Sequence, residues 1–294
     1  MPEIDTGRWA IIVHGGAKDI PPQLEARHRQ GCLMAVEAGV RILTEGGSAI
    51  QAAQAAVRVL EDDPVFNAGH GSVKNADGDI ECDAAIMDGS DLSVGAVAAV
   101  RRIRNPIDAA VALLSDKTVL LVAEGAERFA RARGVALCEP KDLQAVPQAC
   151  DAGCDTVGCV VIDGYGDVAA ATSTGGLDGA RPGRVGDSPL PGCGLSAENG
   201  VGGVSLSGEG EAIIRTGMAH CLMRALEFNT PGDAAKAAFE RLARVGAEAG
   251  AIVIDAEGRI DWMHNSRDFA VGYARHDMAA RAFTRREQDP GETA

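Results

Sequence analysis

The first part of the chain combines short apolar runs with stretches in which apolar residues recur at helical spacing. Trp9–Val13 is a continuous apolar run that predicts a buried strand, and the glycines after His14 predict a tight loop. We expect this loop histidine to hydrogen-bond to backbone rather than to take part in catalysis. From residue 22 to 43 the apolar positions follow a helical period. Ser48, with a glutamine three residues later, forms a capping-box pattern that predicts a second helix ending near Leu60.

The rest of the chain shows further strands and helices, grouped in blocks. Strands are predicted at residues 80–87, 93–103, 119–122, 156–162, 167–173, 200–206, 251–254 and 260–264. Helices are predicted at residues 106–114, 124–133, 211–228 and 233–249. Residues 134–155 carry two prolines and no clear periodicity, so we interpret them as a linker. Because strands and helices do not alternate strictly, the pattern favours an α+β fold with antiparallel sheet.

Composition and charge exclude several classes of protein. The net charge is −14 and no basic patch is present, so nucleic acid, whose phosphates would be repelled, is not an expected partner. No stretch approaches the roughly 18 apolar residues that span a membrane, and the N-terminal sequence lacks the features of a signal peptide. The eight cysteines lie mostly among apolar neighbours, as reduced core thiols do. We therefore expect a cytoplasmic protein with no membrane partner.

Thr156 is the candidate nucleophile. It follows Asp155 and opens a β-branched run that predicts a buried strand. A threonine inside a chain is a poor nucleophile, whereas an N-terminal threonine carries an α-amine of pKa about 8 close to its own hydroxyl. A cut between Asp155 and Thr156 would create both the nucleophile and its base. Threonine before a strand is common, so this interpretation depends on the motifs that follow.

Three motifs lie downstream of the candidate nucleophile. Thr172–Gly176 ends a predicted strand with three hydroxyls and two glycines. Gly183–Pro189 is a turn-rich loop that sets Arg184 and Asp187 three residues apart. Ser207–Glu211 lies where another predicted strand gives way to a helix. Together they supply hydroxyls, a cation and an anion within a short part of the chain.

In this order and at this spacing, the motifs resemble those of the plant-type L-asparaginase and isoaspartyl peptidase family of N-terminal nucleophile hydrolases. His14–Ala17, Phe66–Gly69 and Asn265-Ser266 extend the resemblance over almost the whole chain. It implies a four-layer αββα sandwich in one domain, residues 1–294, made as a precursor. Self-cleavage of the precursor would give an alpha subunit, residues 1–155, and a beta subunit, residues 156–294.

The resemblance implies hydrolysis of the side-chain amide of L-asparagine or of β-aspartyl (isoaspartyl) dipeptides, with release of L-aspartate. Thr156 would attack the carbonyl carbon and form an acyl-enzyme ester. Arg184 would bind the α-carboxylate of the substrate through a bidentate fork, and Asp187 would accept hydrogen bonds from its α-ammonium group. The alternative for Arg184 and Asp187 is a mutual salt bridge that shapes the turn.

Other site residues are implied by the same resemblance. The Ser207 hydroxyl and the Gly208 N–H would stabilise the oxyanion, with serine at a position where the family usually has threonine. Thr174 would orient the Thr156 amine, and Asn67 would support the nucleophile loop. The residues expected to line the substrate site are Arg184, Val185, Gly186, Asp187, Ser207, Gly208 and Gly210.

Catalysis of this kind needs no cofactor, but the resemblance implies a structural sodium ion bound by main-chain oxygens. Its ligands would be the carbonyls of Leu60, Glu61, Asp63, Phe66, Ala68 and His70. From the residues alone, the same segment is a solvated acidic turn. The resemblance also implies a homodimer of processed alpha/beta units.

Three alternatives stay open at this point. A glycosylasparaginase-like enzyme would share the aspartate at Asp155, where plant-type members more often have glycine, but those enzymes are typically exported. A threonine-aspartase-like enzyme would share the Ser-Gly pair at Ser207, but it lacks the pattern that includes Asp187. An uncleaved homologue could act as a binding protein without enzymatic activity. The sequence does not rank L-asparagine against β-aspartyl dipeptides.

Overall fold

The computed structural model describes residues 8–144 and 156–289. Residues 145–155, which make up half of the predicted linker and include Asp155 on one side of the predicted cut, lie outside the described residues. Residues 134–144, the described part of that linker, contain a short 3-10 helix at Pro140–Leu143. Within the described ranges, no helix combines the length and the apolar character that a membrane crossing requires.

Two β-sheets form the centre of the fold. The larger sheet has eight strands in the order β12-β11-β1-β5-β6-β2-β3-β4, and the smaller has four in the order β10-β9-β8-β7. Neighbouring strands are antiparallel except for the parallel pair β3–β4. The strands are β1 (Ala10–Lys18), β2 (Cys82–Asp88), β3 (Val94–Val100), β4 (Leu120–Val122), β5 (Val157–Ile162), β6 (Val168–Thr174), β7 (Leu195–Glu198), β8 (Gly202–Gly208), β9 (Ala249–Asp255), β10 (Ile260–His264), β11 (Asp268–Arg275) and β12 (Met278–Phe283).

In the described ranges, seven α-helices cover the outer faces of the sheets. They are α1 (Glu25–Thr44), α2 (Ala49–Asp62), α3 (Pro106–Leu113), α4 (Ala123–Ala132), α5 (Gly210–Thr216), α6 (Met218–Leu226) and α7 (Pro231–Ala243). Helices α1, α2 and α3 pack on the large sheet, and α6 and α7 pack on the small one. The inner faces of the two sheets pack against each other through β1, β5, β6, β8 and β9. The α+β prediction is confirmed, and the layers follow the order helix, sheet, sheet, helix.

Each interface between layers has its own apolar core. One core lies between α1–α3 and the large sheet, a second between the two sheets, and a third between the small sheet and α5–α7. Alanine, valine, isoleucine and leucine supply most of these side chains, because aromatic residues make up only 3% of the sequence. Small side chains allow close approach of the layers, and this holds the strands that carry the site in fixed positions.

Several predicted elements need correction at their ends. His14 lies inside β1 and not in a loop, since β1 pairs with β11 and β5 on its two sides and continues past the glycines through a register shift. The predicted helix at residues 211–228 is two helices, because Gly217 adopts a left-handed conformation with φ 57° between them. The last long helix ends at Ala243, and β9 begins at Ala249 instead of extending the helix.

Three strands were not predicted. They are β7, β11 and β12. β11 is almost completely buried and pairs with β1, and β12 pairs with β11 at the edge of the large sheet. The remaining predicted strands and helices are present with ends shifted by a few residues, and the capping box of Ser48 is formed.

Candidate active site

One small pocket collects most of the predicted site residues, because three strand ends meet there. Thr156 directly precedes β5, and Thr174 ends the neighbouring strand β6, in which Ser173 pairs with Val157. Strand β8 of the other sheet packs across β5 and β6 and ends at Gly208. The pocket is lined by Thr156, Thr174, Gly176, Leu177, Arg184, Gly186, Asp187, Ser188 and Gly208. Hydroxyls, one guanidinium and one carboxyl therefore face the same space.

Thr156 is buried at the base of this pocket, with 7% of its surface exposed. Its Oγ1 lies 3.3 Å from the Oγ of Ser188, a residue to which the sequence motif gave no role. His14 lies behind the nucleophile strand, with its Nε2 at 2.9 Å from the Oγ of Ser205. Burial lowers the pKa of His14 to about 3, against an opposing influence of the Thr156 backbone. This histidine is therefore neutral near pH 7. The hydrogen bond of its Nε2 is to a side chain and not to backbone as expected, and its Nδ1 has no hydrogen-bond partner among the described residues.

Asn67 holds the loop that follows β6 rather than lining the pocket. Its Nδ2 donates to the carbonyl of Gly176 at 2.8 Å, and its own carbonyl accepts the Gly175 N–H at 2.8 Å. The Gly176 N–H in turn donates to Oγ1 of Thr174 at 3.2 Å. Asn67 thus fixes the backbone next to Thr174, which faces Thr156 across the pocket.

Arg184 pairs with Glu211 and not with Asp187. Its Nε and Nη2 donate to the two carboxylate oxygens of Glu211, each at 2.8 Å. A guanidinium group has five N–H donors, and Glu211 uses two of them. The two on Nη1 and the second on Nη2 are left to bind another carboxylate. The pairing removes the alternative of a mutual Arg184–Asp187 salt bridge that shapes the turn. Glu211 belongs to the quoted Ser207–Glu211 motif, but the sequence did not show which cation it would pair with.

Asp187 is a buried carboxyl with an unused acceptor. Only 4% of its surface is exposed, and its Oδ2 has no hydrogen-bond partner among the described residues. Burial raises the pKa of Asp187 to about 7, while the charge of Arg184 opposes this rise. A buried acceptor without a partner costs free energy, which a bound cationic donor would recover. The position therefore suits an ammonium group.

Two glycines of the Ser207–Glu211 motif are required, because other atoms lie too close to leave room for a side chain. Gly208 has φ 146°, and a Cβ on it would lie 2.4 Å from the carbonyl oxygen of Glu248. A Cβ on Gly210 would lie 2.9 Å from both Nη2 of Arg184 and Oδ1 of Asp187. Any side chain at Gly210 would therefore fill the space between the two charged groups. Gly208 lines the pocket, and glycine adopts its backbone conformation without strain.

Ser207 and Val185 lie next to the pocket without lining it. Ser207 is fully buried, and its Oγ accepts the N–H of Ala17 at 3.1 Å. A hydroxyl that accepts a hydrogen bond still has its own hydrogen to donate. Val185 is half-buried between Arg184 and Gly186. Leu177, which the sequence analysis did not single out, is the apolar member of the pocket wall.

The expected sodium ligands lie in the last turn of α2 and in the tight loop that follows it. They are the carbonyls of Leu60, Glu61, Asp63, Phe66, Ala68 and His70. Gly69 has φ 51°, and a Cβ on it would lie 2.6 Å from the Glu61 carbonyl oxygen, so the loop closes on itself there. The Asp63 carbonyl accepts the Phe66 N–H at 3.1 Å and keeps a second lone pair. Main-chain oxygens crowded in this way fit a hard cation.

Comparisons with known proteins show which proteins the chain is similar to. The profile of the asparaginase family matches residues 7–146 and 140–284. The chain is 44% identical over 271 residues to the isoaspartyl peptidase/L-asparaginase of Xenopus laevis, covering 86% of this chain and 87% of that protein. It is 41% identical to the protein of the same name from Bos taurus, covering 89% and 92%. It is also 39% identical to the isoaspartyl peptidase of Salmonella typhimurium, covering 90% and 95%.

Proposed function

The chain belongs to the asparaginase family, and we propose on this premise that it is an amidohydrolase acting on L-asparagine and β-aspartyl dipeptides. The observation that carries the proposal is the pocket in which Thr156 faces Arg184 and Asp187. A substrate with an α-carboxylate and an α-ammonium group needs one cation and one anion close together. Arg184 and Asp187 supply them, and the side-chain amide of the substrate then reaches toward Thr156. The product is L-aspartate.

The proposed chemistry begins with cleavage of the chain before Thr156. The Thr156 hydroxyl attacks the preceding carbonyl carbon, and the C–N bond breaks as the nitrogen takes up the proton and becomes the α-amine of Thr156. Water then hydrolyses the ester that joins residue 155 to the Thr156 oxygen, and the chain separates into residues 1–155 and 156–294. The free α-amine of Thr156 then takes the proton from its own Oγ as this oxygen attacks the substrate carbonyl. Collapse of the tetrahedral intermediate expels ammonia or an amino acid and leaves an aspartyl ester. Water hydrolyses this ester, which releases L-aspartate and restores the hydroxyl.

The oxyanion is assigned to two donors at the end of β8. These are the Ser207 hydroxyl and the Gly208 N–H, which would donate hydrogen bonds to the carbonyl oxygen of the substrate as it becomes negative. Thr174, held by the loop around Asn67, orients the Thr156 amine. The Ser188 hydroxyl, 3.3 Å from Oγ1 of Thr156, holds the nucleophile toward the pocket.

The direct test of the function is an assay of L-aspartate release by the purified, cleaved protein. We expect hydrolysis of L-asparagine and of a β-aspartyl dipeptide. An α-aspartyl dipeptide is the matched control, since its scissile amide is displaced from the position set by the two charged anchors. Folded, cleaved protein that releases no aspartate from either of the first two substrates would contradict the proposed function.

Ser207→Ala tests the oxyanion assignment. We expect kcat to fall by about 10²–10³, because the hydroxyl donor acts mainly once charge has developed on the oxygen. Ser207→Thr, which keeps the hydroxyl, should stay active. The Ala17 N–H also loses its acceptor in Ser207→Ala, so thermal unfolding of each variant is measured beside the kinetics. An unchanged kcat, per mole of free Thr156 amine, would show that the Ser207 hydroxyl is not an oxyanion donor.

A structural sodium ion in the loop of Leu60–His70 is part of the proposal. The ion would offset the repulsion between the partial negative charges of the crowded carbonyl oxygens, and it would thereby stabilise the loop that carries Asn67. Binding to the native state alone raises the unfolding temperature. We expect a higher Tm in sodium chloride than in choline chloride at equal ionic strength. Equal Tm values in the two salts would contradict a sodium site.

We further propose that two processed alpha/beta units assemble into a homodimer and that the enzyme acts in the cytoplasm. The dimer rests on the resemblance to the family, and the compartment on the scattered cysteines. The six cysteines within the described residues are free thiols. Light scattering of the cleaved protein should give the mass of two processed units, and the mass of one unit would contradict the dimer.

A further inference from the structure

Glu81 is a carboxylate beside the start of the Gly183–Pro189 loop, and the proposed chemistry gives it no role. It directly precedes β2, its side chain is only 10% exposed, and it does not line the pocket. Its Oε1 accepts from Nη2 of Arg101 at 2.7 Å. Its Oε2 accepts from Nδ2 of Asn75 at 2.9 Å and from the Gly183 N–H at 2.8 Å. Donors from three separate segments therefore hold the two carboxylate oxygens.

Gly183 belongs to a tight turn that ends at Arg184. The Arg184 N–H donates to the carbonyl of Arg181 at 3.0 Å, which closes a four-residue β-turn. Pro182 stands at the second position and Gly183, with φ 79°, at the third, an arrangement typical of a type II turn. The first three residues of the turn are exposed, so packing contributes little to its position. The hydrogen bond from the Gly183 N–H to Glu81 ties the turn to the start of β2.

The turn sets the point from which the Arg184 side chain extends to the pocket. The guanidinium group of Arg184 is paired with Glu211, and its backbone forms the last residue of the turn. The Glu211 side chain is 64% exposed, so it is free to follow the guanidinium if the backbone of Arg184 shifts. The place of the guanidinium therefore depends on the turn as well as on the ion pair.

The acceptor that holds the turn is charged. Burial alone would raise the pKa of Glu81, but the hydrogen bonds from Arg101, Gly183 and Asn75 outweigh burial and hold the pKa below its usual value. Glu81 is therefore ionised at neutral pH. Because a hydrogen bond to an ionised acceptor is stronger than one between neutral groups, the Gly183 N–H is held firmly.

We propose that Glu81 is a positioning residue, whose carboxylate fixes the turn before Arg184 and thereby the guanidinium that binds the α-carboxylate of the substrate. This inference rests on the proposed function, because it concerns the same anchor. Glu81 itself does not touch the substrate. The alternative is an ion pair with Arg101 that only stabilises the fold, and the two roles differ in whether the contact with Gly183 matters.

Glu81→Asp separates the contact with the turn from the ion pair, in the complete, cleaved enzyme. The carboxylate keeps its charge but is drawn back by about 1.5 Å, the length of one carbon–carbon bond. The long side chain of Arg101 is able to follow this displacement, whereas the Gly183 N–H follows only if the turn moves. Glu81→Ala removes both contacts. Asp79→Asn is the matched control, because Asp79 pairs with the same arginine at 2.9 Å and its carboxylate has no hydrogen bond to the turn within the described ranges.

Both Glu81 variants should weaken binding of the amino-acid end of the substrate. We expect the Kd for L-aspartate, measured by calorimetry, and the KM for a β-aspartyl dipeptide to rise about tenfold. A displacement of about 1 Å in a binding group costs up to roughly 10²-fold, so a smaller shift of the turn gives an effect of this size. We expect kcat to change less than threefold, because the contacts of Thr156 stay intact. Asp79→Asn should match wild type.

A double-mutant cycle with Arg184→Ala gives a readout that a merely structural role would not move. If Glu81 acts through Arg184, Glu81→Ala should lower kcat/KM about tenfold in wild type and less than twofold in the Arg184→Ala background. A general loss of structure would lower kcat/KM by the same factor in both. Thermal unfolding is measured beside the kinetics. If Glu81→Ala does not fold, Glu81→Asp takes its place in the cycle, since it keeps the charge.

The outcomes separate this proposal from the proposed function. An unchanged Kd for L-aspartate in either folded Glu81 variant would overturn the role of Glu81 and leave wild-type hydrolysis intact. Equal factors in the two backgrounds of the cycle, or an Asp79→Asn variant that weakens binding as much as Glu81→Asp, would also overturn it. A wild type that binds L-aspartate but hydrolyses neither L-asparagine nor a β-aspartyl dipeptide would contradict the proposed function alone, and the Kd values would still test Glu81.

Discussion

Thr156→Ala is expected to lose hydrolysis of L-asparagine and β-aspartyl dipeptides by about 10⁶-fold, the usual size of the effect when an enzyme loses its nucleophile. The Thr156 hydroxyl and amine together supply nucleophile and base, and alanine keeps no oxygen in that place. The neighbouring hydroxyl of Ser188 lies 3.3 Å away, but it has no α-amine within its own residue to act as base. Initial rates of aspartate release measure the effect.

Thr156→Ser is the matched control for this prediction. It keeps the hydroxyl and, after cleavage, the adjacent amine, so a reduced but measurable rate is expected. Both variants are compared by thermal unfolding, because Thr156 is buried at the start of β5. If folded Thr156→Ala kept a rate close to wild type, another group, such as the Ser188 hydroxyl, would be the nucleophile.

Asp187→Ala is expected to lower kcat/KM by about 10²–10⁴. This range corresponds to the roughly 3–5 kcal/mol that is lost when one partner of a buried ion pair is removed. Asp187 is buried, its Oδ2 is without a partner among the described residues, and Gly210 leaves room beside it. The ammonium group of the substrate would then be buried in the complex with no anion to receive it.

Asp178→Ala provides the control, since Asp178 is an exposed aspartate in the stretch that leads to the same loop. It should leave kcat/KM unchanged. A near-wild-type value for Asp187→Ala would show instead that Asp187 only shapes the turn. Inhibition by the product L-aspartate distinguishes an anchor from a turn-shaping residue. If Asp187 binds the ammonium group, Asp187→Ala must also raise the inhibition constant for L-aspartate.

The chemistry-bearing residues of the pocket could be predicted because they stand in short motifs. Thr156, Thr174, Arg184, Asp187 and Gly208 were all identified in the sequence, and the structure brings them together. The Arg184–Glu211 ion pair could not be predicted in the same way. It depends on how the loop that carries Arg184 packs against the start of α5, and the sequence pattern carries no information on that contact.

The fold was predictable where local signals agree with the tertiary structure. The Ser48 capping box is such a case, as it sets the start of α2 by itself. β1 continues past the two glycines because Ala17 and Lys18 pair with β11 beyond a register shift, which outweighs the local turn signal of His14-Gly15-Gly16. β12 has an alanine-rich sequence without strand character and becomes a strand by pairing with β11.

The central claim is that Thr156 becomes an N-terminal residue by self-cleavage, and the intact mass of purified wild-type protein tests it most directly. We expect two chains, residues 1–155 and 156–294, with a free α-amine on Thr156. Thr156→Ala, purified in the same way, should give one chain of residues 1–294. A wild-type preparation that hydrolyses L-asparagine at full rate while it remains a single uncleaved chain would contradict the account.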